Sequence, residues 1–132
     1  MSEDYQKLIE KIELLEWKVE ILQDNVTCKS FFNILLEMNI TKQQHSQIVD
    51  LIQKYSDDYK DNWDSKKYSR YSFEKEMAQI NDQFEMNTQA IEIILQDLAE
   101  AEDDENYKLL FVRLYSHMPK YKDVFPEIKQ RA

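Results

Sequence analysis

The stretch from Asn62 to Phe73, NWDSKKYSRYSF, sets Lys66, Lys67 and Arg70 among Trp63, Tyr68, Tyr71 and Phe73. Cations interleaved with aromatic rings are the chemistry of a single-stranded nucleic-acid groove, where bases stack on rings and phosphates meet basic groups. Each stacked base contributes on the order of 1–3 kcal/mol when several rings lie open along one groove. The chain as a whole, however, carries a formal net charge of −9, and phosphate neutralisation dominates such binding. Three cations are a thin attractor. The stretch therefore reads first as a loop, in which Tyr71 and Phe73 staple the following helix and Trp63 covers the core face of the preceding one. As a site, Trp63, Lys66, Lys67, Tyr68 and Arg70 form a candidate contact loop for another protein, and no direct nucleic-acid partner is expected.

Other reactive residue types are sparse. His45 and His117 are the only histidines, and the positions three before them are Lys42 and Leu114, so the Glu-x-x-His spacing of di-iron bundles is missing. His45 falls in the first turn of a helix, and His117 falls near a helix C-terminus, where the dipole favours a cation. Cys28 stands alone and reads as a small packing residue rather than a nucleophile. The aspartates of DDYKDNWD suggest calcium, but counting from Asp58 puts Lys60 at loop position 3 and Trp63 at position 6, where an EF-hand needs a ligand and a glycine. The chain has no glycine at all, which excludes the phosphate-cradling loops of P-loop and dinucleotide folds. No catalytic, cofactor-binding or metal-ligating residue is assigned, and the expectation is a protein that is not an enzyme and carries no cofactor.

One charged constellation remains. Residues 76–105 hold ten acids and neither lysine nor arginine. Such a surface repels nucleic acid and attracts a basic protein. Glu100, Glu102, Asp103, Asp104 and Glu105 are its densest part and form a candidate partner-binding acidic face. A solvated, solubilising face is the plainer reading of the same run. The alternative functional reading is an acidic inhibitor of phage or mobile-element type, whose carboxylates imitate the phosphates of a nucleic acid bound by a host protein.

These residues must be carried by helices. A chain without glycine, with two prolines, both near the end, has few breakers. From Tyr5 to Val26 apolar residues recur at 5, 8, 12, 15, 19, 22 and 26, an unbroken alternation of threes and fours. Setting Tyr5 at heptad position a puts Ile12, Val19 and Val26 at a, and Leu8, Leu15 and Leu22 at d. β-Branched residues at a with leucine at d favour a parallel two-stranded coiled coil, with Lys11 at g facing Glu16 at e of the partner. Leu14, Trp17 and Ile21 make a second apolar stripe, so purely internal packing of this helix is the competing reading.

Further helices are expected over about 30–38, from Thr41 through Tyr59, from about Ser72 through Phe84, from Asn87 or Thr88 to the acidic run, and over about 104–118. Asn39 is the expected C-terminal cap of the second helix. Thr41 and Gln44 have capping-box spacing, with Ile40 at the staple position. Pro119 ends the last helix. The fold class is all-α, an irregular multi-helical array or bundle of about five to six helices with a long heptad-patterned N-terminal helix, 5–26. Residues 1–118 read as one domain and 119–132 as a loosely held tail. No window is apolar enough to span a membrane, the first residues are acidic, and one cysteine fits a reducing compartment, so a cytoplasmic location without membrane contact is expected.

The segments KIELLEWKVEIL, FFNILLEMNITKQQHSQIVDLIQKYSDDY, YSFEKEMAQIN and NYKLLFVRLYSHM, taken in order, resemble the YhaI-like family of small helical proteins from Bacillus and relatives. The likeness spans roughly residues 8–118. It implies an all-helical fold that self-associates and lends no activity or catalytic residue. The tail and the Asn62–Tyr71 loop depart from the family pattern. The resulting expectation is a homo-oligomer, a dimer by preference, formed through Leu8, Ile12, Leu15, Val19, Leu22 and Val26, which binds a basic protein through its acidic face.

Overall fold

The structure is a computed structural model that describes residues 3–24, 29–62 and 67–129, without the side chains of 23, 24, 29, 59–62 and 129. Val26, Cys28, Trp63 and Lys66 lie outside the described residues, as does the side chain of Tyr59. Among the described residues every regular element is helical: α1 (Glu3–Asp24), α2 (Lys29–Glu37), α3 (Lys42–Asn62), α4 (Arg70–Ile80), α5 (Thr88–Glu102), α6 (Glu105–Tyr115) and α7 (Pro126–Lys129). Two 3-10 segments, Asp82–Met86 and Pro119–Tyr121, join them. The all-α, multi-helical expectation holds.

The core sits where α5 and α6 pack on each other, with α2 laid on α5, α3 on α6 and α4 beside α3. Their inward stripes supply Leu35, Ile48, Ile52, Tyr55, Phe73, Met77, Ile91, Ile94, Leu95, Leu110, Phe111 and Tyr115, all buried. With no glycine, the left-handed turns fall to other residues. Asn39 (φ 54°) closes α2 and Asp103 (φ 48°) closes α5, and Asn and Asp enter this region more cheaply than most side chains. The capping box at the start of α3 is formed: Gln44 N–H donates to Thr41 Oγ1 at 3.1 Å, and Thr41 N–H donates to Gln44 Oε1 at 3.2 Å.

α4 differs from expectation at both ends, α6 stops at Tyr115 rather than running to Met118 and Pro119, and the tail differs in its packing. α4 begins at Arg70, because Ser69 and Ser72 form a reciprocal cap of their own. The fourth helix also stops at Ile80 rather than running through Phe84: Asn81 leaves helical geometry, accepts from Gln83 N–H, and the chain restarts as a 3-10 turn that still buries Phe84. The third correction is the tail. Over residues 119–129 it is packed, not loose: Tyr121 and Ile128 are buried, and Phe125 lies edge-on to Phe111 at 5.7 Å. Its latch is polar. Glu92, almost wholly buried on α5, accepts from the Tyr121 hydroxyl at 2.9 Å and pairs with Lys120 Nζ at 2.7 Å.

Tyr55, Tyr115 and Tyr121 all donate to carboxylates, of Glu76, Glu74 and Glu92 respectively. Burial first, and then the neighbouring carboxylate, pushes each phenol above its ordinary value of 10.0. Above pH 10 the unfolded chain therefore gives up tyrosine protons that the folded chain retains, and stability falls as pH rises. Urea unfolding should show a stability plateau below about pH 10 and a progressive loss above it. Tyr121→Phe should cost about 1–2 kcal/mol at neutral pH, by removing a donor from a buried carboxylate, and should make the alkaline loss shallower. No change on that substitution would mean that the Tyr121–Glu92 hydrogen bond contributes nothing to stability.

Candidate protein-interaction surface

α1 is amphipathic in two directions, and only one of its apolar stripes is used. Trp17 Nε1–H donates to the carbonyl oxygen of Ile40 at 3.0 Å, and the indole lies 5.4 Å from the His45 ring. One turn on, Ile21 is fully buried. Lys18 adds a 2.5 Å bond to Asn39 Oδ1, and Glu20 adds a weak ion pair with Lys42 at 3.5 Å. All four residues lie in the C-terminal half of the helix, and Trp17, Lys18 and Glu20 reach the α2–α3 turn or the first turn of α3.

Trp17 and Ile21 occupy heptad positions f and c, on the back of the a/d stripe. Anchoring that back face turns the stripe to solvent. Leu8, Ile12, Leu15, Val19 and Leu22 are 55%, 46%, 60%, 52% and 64% exposed, and Tyr5 is 57% exposed. Ile12, Leu15 and Val19, with Glu16 beside them, line a shallow apolar indentation. The competing reading, in which the heptad residues are used inside the fold, does not hold for the five interface residues that are described. A separate groove of about 490 Å³ runs between Glu10, Glu13, Trp17 and Glu20 of α1 and the Thr41–Gln43 end of α3.

The acidic block is less free than its composition suggests. Asp97 accepts from the backbone N–H of Phe31 at 3.0 Å, satisfying the start of α2. Asp103 is the left-handed closing residue of α5 and pairs with Lys108, which holds its carboxyl below the usual range. Asp104 caps α6, accepting from the N–H groups of Asn106 and Tyr107 at 2.8 and 3.1 Å. Glu76 and Glu92 receive tyrosine hydroxyls. Glu100, Glu102 and Glu105 of the candidate face are exposed, as are Asp82 and Glu85 to differing extents along the neighbouring turn. The acids that close α5 and open α6 are thus structural, a role that charge counting could not reveal.

The candidate contact loop is not an aromatic groove over its described part. Tyr68 is buried, edge-on to Tyr55 at 5.3 Å, so its ring is core. Lys67 lies over that ring at 5.2 Å, and Arg70 reaches Met118 Sδ at 3.6 Å. Tyr71, expected to staple α4, is instead 75% exposed, and Phe73 alone turns inward. His45 is wedged between Trp17 and Phe31, and burial lowers its pKa. His117 is exposed, just beyond the end of α6.

Comparison of the chain with protein-family models, with curated proteins and with solved structures finds no match. The surface itself is then the guide to function. Among the described residues, no group of three or more His, Cys, Asp and Glu is placed to hold a metal, and no helix is long and apolar enough to cross a membrane.

If Trp17 is the anchor, Trp17→Ala should detach α1 while leaving the remaining helices folded. Limited proteolysis should then cut within residues 3–24 well before it cuts α2–α7. Wild-type-like protection of α1 would mean that other contacts hold it.

Proposed function

We propose that the protein is a non-enzymatic interaction module that self-associates through the outer stripe of α1 and engages a basic protein through exposed acids near the α5–α6 turn. The observation that carries the first part is the row of Tyr5, Leu8, Ile12, Leu15, Val19 and Leu22, each about half or more exposed and in one heptad register. Scattered apolar residues on a surface need no explanation, but a contiguous stripe along one helix is a surface that water disfavours and a partner would cover. A second copy brings an identical stripe of identical length, and a/d seams cover one another by knobs-into-holes packing.

The second part has thinner support: Glu100, Glu102 and Glu85 are exposed, in a chain of net charge −9. The phosphate-mimic alternative requires a longer free row of carboxylates, and five of the ten acids in that block already have partners in their own chain: Glu76, Glu92, Asp97 and Asp104 as acceptors, and the exposed Asp103 in an ion pair with Lys108. The protein-binding reading is therefore preferred.

Leu15→Asp with Leu22→Asp should convert the oligomer to a monomer in light scattering while α2–α7 stay helical, because neither residue contributes to the core. An unchanged mass for that double variant would overturn self-association through α1.

A further inference from the structure

Self-association through α1, the reading on which any pairing geometry rests, leaves open how two copies meet, and the residues bordering the stripe decide it. We infer that the two α1 helices pair parallel and in register, with Lys11 of each copy facing Glu16 of the other.

The stripe has unlike edges. One edge, heptad position g, carries Asp4, Lys11 and Lys18, the last drawn toward Asn39 Oδ1 of its own body; the other, position e, carries Ile9 and Glu16. In a parallel pair each g residue meets the e residue of the next heptad in the other chain. Lys11 then meets Glu16 twice, once in each direction. In an antiparallel pair like edges meet. Lys11 of one copy would then lie along Lys18 of the other, and Glu16 along Ile9, so neither Lys11 nor Glu16 finds an opposite charge. Both Lys11 and Glu16 are exposed, and Glu16 borders the apolar indentation itself.

The core layers point the same way. In parallel register Ile12 meets Ile12, Leu15 meets Leu15 and Val19 meets Val19, the β-branched-a, leucine-d arrangement suited to two parallel strands.

The placement of the body permits this arrangement. Trp17 and Ile21 hold it on the back of α1, so neither body intrudes on the seam. The strongest opposing effect is repulsion between two bodies of net charge −9 held at the same end. They flank the pair on opposite sides, at least two helix widths of about 10 Å apart, which exceeds the Debye length of roughly 10 Å at 0.1 M salt. Contact-range pairs at the seam therefore outweigh it at ordinary ionic strength.

Charge reversal reads the orientation by its sign. In a parallel dimer Lys11→Glu should weaken dimerisation on the order of tenfold at low salt, and Lys11→Glu with Glu16→Lys should restore it. In an antiparallel dimer Lys11→Glu would relieve repulsion and tighten the complex. A second measurement uses Leu8→Cys in a Cys28→Ser background. Mild oxidation should give a covalent dimer from this single variant, because position 8 meets position 8. A protein that dimerises, but cross-links only when Leu8→Cys is mixed with Val19→Cys, would overturn the parallel arrangement and leave self-association standing. Dimerisation with neither cross-link would overturn the register. A wild-type chain that is monomeric at all concentrations would overturn both this inference and the reading beneath it.

Discussion

The hydrogen bond from the Trp17 indole to the carbonyl of Ile40 fixes the rotation of α1 about its own axis, and the exposed stripe is a consequence of that rotation. Each helical residue advances about 100°, so seating positions 17 and 21 against the body turns 12, 15, 19 and 22 outward. The acceptor is itself held in place. Asn39 turns left-handed, Ile40 is buried, and the Thr41–Gln44 capping box starts α3 immediately afterwards. A short turn between two other helices thus determines which face of the first helix is left uncovered.

The same economy appears in how the chain reverses without glycine. Asn39 and Asp103 occupy left-handed geometry with side chains that tolerate it, and each also makes a polar bond, to Lys18 and Lys108 respectively. Phe125 (φ 53°) is the costly case, since a bulky residue there is strained by about 1–3 kcal/mol. Its ring meets Phe111 at 5.7 Å, and the buried Ile128 follows three residues on, which offsets strain with apolar burial. Acids serve a related purpose. Asp97, Asp104 and Glu92 satisfy a helix start, a second helix start and a buried hydroxyl, so much of the apparent charge block is hydrogen-bonding material for the fold.

Periodicity made the helices legible because it reports which side of an element is apolar. It showed two stripes on α1 but could not show which of them the body would take, since that depends on an indole bond between residues twenty-three apart. Local caps were equally readable at Asn39 and Thr41, where the whole signal lies within four residues. What escaped is long-range. Tyr121 and Glu92 are twenty-nine residues apart, and nothing near Pro119 indicates that the tail has a buried acceptor waiting on α5. The spacing of Phe73, Met77, Ile80 and Phe84 ran through the break at Asn81 because the 3-10 turn returns Phe84 to the same side. Tyr68 read as a binding ring because sequence cannot distinguish an exposed aromatic from one docked on Tyr55.

In the N-terminal half of α1, a partner would do more than cover apolar surface. Residues 3–13 are exposed on every face except at the half-buried Ile9, and the anchors begin only at Trp17. A helical segment of about a dozen residues is marginal in water on backbone bonds alone. Favourable Glu3–Lys7 spacing and the acids Glu3 and Asp4 in the first turn add only a few tenths of a kcal/mol each. Apolar cover along Tyr5, Leu8 and Ile12 is the contribution large enough to hold these turns, at about 1.5–3 kcal/mol for each fully buried side chain. If the proposed self-association covers the stripe, it would also stabilise the helical order of this half.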